Sequence, residues 1–422
     1  MITKRLIQAA AFVCAFSFFL TSTVSSASAF QLWEEGGGIG DYHAGGAAIA
    51  DNVSTDFYNP AGITRLDRPE ISLGGVLIDT NINYKGNLTV TLFGSQTYQN
   101  IDAQGGDKNY IPNFHIAVPF AQYWVADLNV TTPLGLDTNY GTDTAIQYVA
   151  TESKISAVNI NPNLSLKLND HFSIGAGFDA ERLNAIFNDV DDIGGTSYPL
   201  ENKLSSWDYG FNMGALYQFT PSTRLGLSYR SEIVHHTNGN STVNDLFGQP
   251  TTTAITSDLI FPATTMLSFY QAINFHWAWM ASATYSQWDA FQTLAIYNVN
   301  TPLTPTNVFV PQHFRNSWNL ALGGRYTINP KWQLEAGVGF DESPVVTDYR
   351  TVQVPDNNRY AVSVGFHYKP VQRFDVEVGY DHFFIQKADI HAPMTVSLET
   401  LTPDGYVDSS ANVFGVQLTY TF

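Results

Sequence analysis

The side chains best able to do chemistry in this sequence are its histidines and serines, and their spacing fits no catalytic or metal-binding pattern. None of the ten histidines shows the H-x-x-x-H or H-E-x-x-H spacing that brings two imidazoles to one metal ion. His235 and His236 open a predicted loop, with no serine motif beside them to supply a nucleophile. Ser343 fits a strand end better than a nucleophile. We therefore expect no enzymatic activity, no metal and no cofactor.

The first residues predict an export signal. Lys4 and Arg5 precede an apolar run from Leu6 to Leu20, and Ala27-Ser28-Ala29 matches a small-residue cleavage site. An N-terminal membrane anchor is the alternative, but the run is shorter than the roughly 20 apolar residues that span a bilayer. We predict a signal peptide of residues 1–29, with cleavage after Ala27 as a second possibility.

The chain that remains is acidic, aromatic and free of cysteine. The one cysteine, Cys14, is removed with the signal, which excludes disulfides and thiolate chemistry. Loss of two positive charges changes the net charge from −18 to −20, which argues against nucleic-acid binding. Charged residues make up 14 % of the chain and aromatic residues also 14 %, whereas soluble domains carry about 25 % charge. With no apolar run of about 18 residues after the signal, this composition favours membrane-spanning strands.

Strands of alternating polarity flank six very short polar turns. Trp318, Leu320 and Leu322, for example, share one strand face before a turn at 329–331, and Trp332 begins the next strand. The six turns lie near 121–122, 169–171, 220–223, 274–276, 329–331 and 369–372. Longer polar stretches between them predict seven outer loops, near 79–112, 136–155, 186–205, 235–260, 289–314, 342–358 and 386–410.

These connections predict an all-β fold. Short inner turns and long outer loops are typical of outer-membrane barrels. Six turns and seven loops join fourteen strands and leave both chain ends in the periplasm. We therefore predict a transmembrane 14-stranded antiparallel β-barrel over residues 70–422. Residues 80–112 fit either an extra hairpin or the first outer loop.

Aromatic residues support a membrane position. Trp124, Trp277 and Trp332 are among many that lie within a few residues of the short turns, where an inner aromatic girdle is expected. The last strand, residues 412–422, alternates throughout and ends in Phe422, which is typical of the signal that directs outer-membrane barrels to their assembly machinery. A soluble β-protein with core aromatics is the alternative.

Residues 30–69 do not alternate and are predicted to form a separate plug. Small residues cluster in Gly36–Gly40, Ala44–Asp51 and Asn59–Gly62, and such residues allow close packing and irregular backbone. Because a barrel of this size encloses a wide interior, we expect the segment to fill the lumen rather than form a loose periplasmic tail. The first glycine group lacks the preceding strand and the GK[ST] ending of a phosphate loop.

Several motifs, taken together and in order, resemble the FadL-type long-chain fatty acid transporters, a family that includes aromatic-hydrocarbon transporters. They are Phe30-Gln31-Leu32, Gly38-Ile39-Gly40, Gly46–Asp51, Asn59–Gly62, Pro112–His115, Tyr229–Glu232, Phe340–Pro344 and Pro355–Tyr360. The resemblance implies a barrel plugged by an N-terminal hatch, with an apolar ligand that binds in the lumen and leaves sideways through the wall. It assigns the gate to Asn59, Pro60 and Ala61, and part of the ligand site to Phe30.

Two departures from the family bear on the ligand. The third outer loop, near 186–205, is shorter than in the fatty acid transporters. Ala295 stands where the resemblance implies a lysine for a carboxylate, and Arg182 lies near a second expected cation but is offset in register. We expect long-chain fatty acids as the ligand, with Arg182 as a candidate contact and neutral aromatic or aliphatic hydrocarbons as the alternative.

The predicted role is passive transport of a hydrophobic small molecule in the bacterial outer membrane. The expected partners are that ligand, outer-membrane lipid and the barrel assembly machinery, and a plugged barrel is expected to act as a monomer. A general porin or an adhesin would also fit a barrel of this kind. The porin is less favoured because porin lumens carry opposing charged rows, whereas the acidic residues here concentrate in predicted loops and the N-terminal part.

Overall fold

Antiparallel strands account for most of the computed structural model, which describes residues 35–92, 94–396 and 399–422. The predicted signal peptide, residues 1–29, and the predicted ligand contact Phe30 lie outside the described residues. No helix in the described part of the chain is long and apolar enough to cross a bilayer.

Fourteen of the described strands form a closed wall. In chain order they are β1 (Glu70–Thr91), β3 (Lys108–Ala121), β4 (Trp124–Thr131), β6 (Glu152–Lys167), β7 (Phe172–Ile193), β8 (Thr196–Thr220), β9 (Thr223–Arg230), β12 (Thr264–Ala272), β13 (Trp277–Ser286), β16 (Ser317–Asn329), β17 (Trp332–Asp341), β18 (Arg359–Val371), β19 (Phe374–Ile385) and β22 (Glu399–Thr421). The wall closes where β1 pairs with β22, from Glu70 opposite Thr421 to Thr91 opposite Thr400.

Eight shorter strands extend this wall on its outer side. They are β2 (Ser95–Gln104), β5 (Gly135–Asn139), β10 (Ile233–Asn244), β11 (Pro250–Phe261), β14 (Thr293–Val299), β15 (Thr306–Pro311), β20 (Ala388–Ile390) and β21 (Met394–Val396). Three short 3-10 helices lie in the outer connections, at Ala145–Tyr148, Trp288–Ala290 and Thr347–Tyr349.

The predicted 14-stranded barrel and its six tight turns are confirmed. The turns join β3 to β4, β6 to β7, β8 to β9, β12 to β13, β16 to β17 and β18 to β19. The prediction that the outer stretches are loops is partly wrong. Residues 186–205 form a paired hairpin that turns at Gly194-Gly195, and residues 80–104 also form a hairpin. Their many Asn, Asp, Thr and Gly residues suggest loops, but each hairpin buries one face, with Tyr84 in the first and Phe187 and Leu204 in the other, so backbone pairing continues beyond the bilayer.

The outer surface of the wall is apolar and the alternate positions face inward. On β22, Phe414 and Val416 are 47 % and 44 % exposed, whereas Gln417 between the outward positions is 1 % exposed. Trp124, Trp277 and Trp332 are exposed on the outer face beside the short turns. This is the pattern of strands that face lipid on one side and a filled interior on the other.

Residues 35–69 pack against the inner face of the wall. They form short helical turns at Ile39–Asp41, Gly46–Ile49, Thr55–Tyr58 and Pro60–Arg65. The first contacts β16 to β19 and β22, the second β9, β12 and β13, and the last β4 and β6 to β8. Contacts with strands around the whole circumference place this N-terminal segment inside the barrel, and β1 begins directly after it.

Glycines in the wall allow the backbone of the N-terminal segment to come close. A Cβ atom at Gly226 would lie 1.8 Å from the carbonyl oxygen of Ala47, and one at Gly365 would lie 2.6 Å from the Cα atom of Gly40. No side chain fits at these two positions without displacing the segment.

Candidate functional site in the barrel interior

The outer half of the interior is filled by apolar side chains, which we call the outer apolar cluster. It is built from the outer ends of many strands and from the outer connections. Its large buried members include Tyr84, Leu136, Tyr140, Leu183, Phe187, Leu204, Phe261, Trp288, Phe314 and Met394. A cavity of about 30 Å³ lies within it, lined by Leu294, Val310 and Met394 among others. An interior of this kind accepts apolar solutes and lacks the wetted surface of a general porin.

A larger cavity of about 90 Å³ lies against the N-terminal segment; we call it the Phe57 cavity. Phe57, Tyr58 and Pro60 form one side of it, and Pro133 and Leu134 come from the connection between β4 and β5. The remaining lining residues are Glu181, Asn212, Met213, Ser228, Tyr229, Arg230, Ser231, Ile233, Phe261, Pro262, Thr264, Met266 and Thr284. Because Phe261 and Leu134 also belong to the outer apolar cluster, the cavity adjoins that cluster.

The charged groups at the Phe57 cavity are already paired. The Arg230 guanidinium forms an ion pair with Asp179, lies over the Phe57 ring at 5.3 Å, and donates to the Phe57 carbonyl at 3.4 Å. Glu181 Oε1 lies 2.9 Å from His235 Nε2. Arg230 was not predicted as a ligand contact, although this residue lies in the motif Tyr229–Glu232, which contributes to the family resemblance.

The predicted gate residues Asn59, Pro60 and Ala61 are brought together between the N-terminal segment and β6 to β8. Asn59 is fully buried, and its Nδ2 donates to the carbonyls of Ala47 at 2.7 Å and Ala215 at 3.0 Å. Its Oδ1 accepts from the Ala61 amide at 3.0 Å and so caps the turn that follows. Only Pro60 of the three lines the Phe57 cavity.

Arg182 is not brought to this site. On β7, Glu181 and Leu183 are buried and face inward, so Arg182 between them lies on the opposite face. It stands in register beside Trp207, which is 46 % exposed on the outside of the wall. A role for Arg182 in ligand binding stays a prediction, and β7 directs this side chain away from the interior.

The wall is interrupted beside the Phe57 cavity. Pairing between β3 and β4 ends at Phe114 opposite Val130. In the described structure β5 forms a strand ladder with β6 alone, and on its other side only the backbone N–H of Asn139 donates, to the Gly105 carbonyl at 2.8 Å. Residues 131–138 are all buried, in contrast to the alternating β4, so the chain bends inward at Thr132-Pro133-Leu134. This bend leaves a gap between β3 and β5, and Pro133 and Leu134 beside the gap line the Phe57 cavity.

A second interruption, between β8 and β10, is closed by polar side chains. Residues 206–210 and 232–237 carry no ladder pairing with each other in the described structure. Ser206 Oγ lies 3.1 Å from His235 Nδ1, and Glu181 accepts on the other side of the ring. The expectation that His235 lies in a loop without a serine beside it is therefore wrong, because β8 and β10 bring together residues 29 positions apart. Ser206 does not line the Phe57 cavity, so the cluster seals the wall.

Buried charges hold the N-terminal segment to β16–β19. Arg325 lies 2.7 Å from both Asp41 and Asp51 of the segment and 2.9 Å from Glu335 of β17. His367 Nε2 lies 2.7 Å from Glu335 Oε1. The expectation that acidic residues concentrate in loops and the N-terminal part is therefore wrong for Glu335, whose carboxylate faces the lumen from a strand.

One part of this charge cluster has the composition of a metal site. Ligand atoms of Glu335, His367 and Glu377 lie within 4.8 Å of one another. Spacing in the sequence could not reveal the group because its members stand on three neighbouring strands. Glu335 Oε1 already accepts from Arg325 and His367, so a cation there would compete with the guanidinium. We assign the group to charge compensation under the N-terminal segment.

Within the N-terminal segment, His43 and Tyr58 form a buried polar contact. Tyr58 Oη and His43 Nδ1 are 2.5 Å apart. Burial lowers the pKa of His43 to about 3, so its imidazole is neutral at physiological pH. The contact orients Tyr58 where that ring lines the Phe57 cavity.

Comparison with known proteins agrees with this geometry. A family model described as "Outer membrane protein transport protein (OMPP1/FadL/TodX)" matches residues 18–422. A long-chain fatty acid transport protein of Escherichia coli O6:H1 is 27 % identical, over 96 % of both chains. Outer membrane protein P1 of Haemophilus influenzae is 25 % identical, over 96 % of this chain and 98 % of its own.

Solved structures show the same fold. A Pseudomonas aeruginosa FadL homologue superposes with a TM-score of 0.85 at 23 % identity, over 94 % of this chain and all of that one. The toluene transporter TbuX of Ralstonia pickettii superposes with a TM-score of 0.69 at 15 % identity, over 93 % and 100 % of the two chains.

Proposed function

This chain belongs to the OMPP1/FadL/TodX family of outer membrane transport proteins, and we propose that it carries long-chain, fatty-acid-like molecules through its interior. It is a bacterial outer-membrane β-barrel of a transport family, not an enzyme. The observation that carries the proposal is the outer apolar cluster, which leads inward to the Phe57 cavity.

We propose that the N-terminal segment acts as a hatch that forces the ligand sideways. Moving an acyl chain from apolar surroundings into water costs about 0.8 kcal/mol for each methylene, and straight passage to the periplasm would expose every methylene. Delivery into the bilayer avoids that cost.

The proposed exit is the gap between β3 and β5. It is the interruption lined by the apolar residues Pro133 and Leu134, whereas the interruption between β8 and β10 holds Ser206 and His235. Asn59, Pro60 and Ala61 support this assignment because they fix the segment at the cavity that adjoins the gap.

The test substitutes Ala61, which is fully buried, with phenylalanine. Ala61→Phe should reduce growth on oleate in cells that lack their own transporter, because Ala61 packs against Ala50 and Leu216 and the added ring must displace the turn that holds Pro60 at the cavity. Ala336→Phe is the matched control, since Ala336 lies on the exposed face of β17. Equal growth of the two variants, at equal amounts of folded protein in the outer membrane, would remove the gate assignment.

Neutral hydrocarbons are the second candidate ligand class, and the paired state of Arg230 favours them. Tryptophan-fluorescence titrations of the detergent-solubilised protein with oleate and with toluene compare the two classes. Tighter binding of toluene would replace the fatty-acid assignment.

We also propose that the assembly machinery recognises Phe422 and that the protein acts as a monomer. Phe422 donates its backbone N–H to the Pro69 carbonyl at 3.0 Å, which fastens the end of the wall.

A further inference from the structure

Two polar side chains that line the Phe57 cavity have polar atoms without a hydrogen-bond partner among the described residues. They are Asn212, through both Oδ1 and Nδ2, and Thr284, through Oγ1. Asn212 is 4 % exposed and Thr284 is 6 % exposed. Buried polar groups are normally satisfied, and leaving one unpaired costs about 1–3 kcal/mol. Two such residues facing one cavity indicate a hydrogen-bonding occupant.

The polar groups in the cavity wall favour an uncharged occupant over a carboxylate. An amide offers a donor and an acceptor, and a hydroxyl offers both in one group, so Asn212 and Thr284 match a neutral group that can donate or accept. A carboxylate would find its one nearby cation, Arg230, already paired with Asp179, and would lie close to the carboxylate of Glu181.

The size of the cavity restricts what it holds. Its 90 Å³ is several times the roughly 10–15 Å³ that one water needs in a cavity, which leaves room for an oxygen-bearing end group and its first methylenes. The rest of a long ligand would lie in the adjoining outer apolar cluster.

We propose that the Phe57 cavity recognises an uncharged oxygen-bearing end of the transported molecule, a hydroxyl or a carbonyl, through Asn212, whose amide has both polar atoms unpaired, with Thr284 as a separate polar contact across two intervening strands of the wall. This rests on the proposed function and adds to it the class of ligand: mono-oxygenated aliphatic compounds such as long-chain alcohols. The ligand then lies with its oxygen against the N-terminal segment and its apolar chain directed outward.

The experiment measures binding of 1-dodecanol, dodecane and dodecanoate at pH 7 to the full-length mature protein in detergent, by displacement of a fluorescent acyl probe. The alcohol should bind about tenfold more tightly than the alkane, the gain of roughly one buried hydrogen bond. Asn212→Leu should remove most of that gain, and Thr284→Val a smaller part of it, while both variants still bind the alkane. Retained alkane binding also shows that the variants are folded.

Thr351→Val is the matched control. Thr351 is 3 % exposed and its Oγ1 also has no partner among the described residues, but it does not line the cavity. An alcohol that binds no better than the alkane, an unchanged preference in Asn212→Leu, or tighter binding of dodecanoate would each overturn the inference while transport of apolar molecules stands. If none of the three compounds binds, the proposed function falls and this inference with it.

Discussion

Replacement of Arg325 by methionine tests how the N-terminal segment is held in the barrel. The Arg325 side chain is 6 % exposed and is the shared cationic partner of Asp41, Asp51 and Glu335. Removing one partner of a buried ion pair costs about 3–5 kcal/mol, because the remaining charge is left uncompensated. Asp51 is 46 % exposed, so water screens it and little of the cost comes from that pair. The cost falls on Asp41, because Glu335 belongs to the wall and keeps its contact with His367 at 2.7 Å.

At about 1.4 kcal/mol for each factor of ten, that cost increases the displaced population of the segment by roughly two to three and a half orders of magnitude. In planar bilayers the Arg325→Met protein should therefore show frequent ion-conducting openings that the parent protein lacks. Arg315→Met is the matched control, because Arg315 is 54 % exposed and pairs with Glu342 at 3.5 Å. Asp41→Asn in the Arg325→Met background should restore part of the closure.

Far-UV circular dichroism establishes first that each variant retains its strand content. If folded Arg325→Met conducts no more than Arg315→Met, the charge cluster does not hold the segment, and the anchoring role of Arg325 is wrong.

Two further predictions concern packing and the ligand path. Gly226→Ala should lower the free energy of unfolding by about 1–3 kcal/mol in urea titrations in detergent, because the new Cβ meets the Ala47 carbonyl oxygen. Gly324→Ala, whose new Cβ would have 3.7 Å to its nearest neighbour, should change it little; equal effects would contradict the close approach. Leu294→Asn should reduce uptake of radiolabelled oleate several-fold, because an unpaired amide in the outer apolar cluster costs about 1–3 kcal/mol. Ala295→Asn, on the opposite face of β14, should leave uptake unchanged, and a loss of uptake there would argue against an interior route.

The wall of the barrel could be predicted because its signals are local. The turn at residues 329–331 and the alternation around Trp318 and Trp332 each fit within about ten residues, and strand period and turn chemistry act over that distance. The outer hairpins could not be predicted in the same way. Residues 186–205 pair as strands with Phe187, Leu200 and Leu204 on a buried face, but Asp, Asn and Gly residues between them hide that alternation in the sequence.

The interior site depends on contacts that sequence order does not reveal. Arg325 and Asp41 are 284 positions apart, and the Phe57 cavity combines the N-terminal segment with residues such as Asn212 and Thr284. Ser206 and His235, which are 29 positions apart, meet because β8 and β10 are neighbouring strands. Asn59, Pro60 and Ala61 could be predicted as gate residues from the family resemblance. Arg230 could be identified as a site residue only from the structure, which places it in the cavity wall.

The most direct test of the account is a crystal structure of the mature protein soaked with a long-chain alcohol that carries bromine at the end of its chain. We predict anomalous bromine density within the outer apolar cluster, with the hydroxyl end in the Phe57 cavity beside Asn212. Bromine density confined to the outer surface of the barrel, with the interior side chains unmoved, would contradict transport through the lumen.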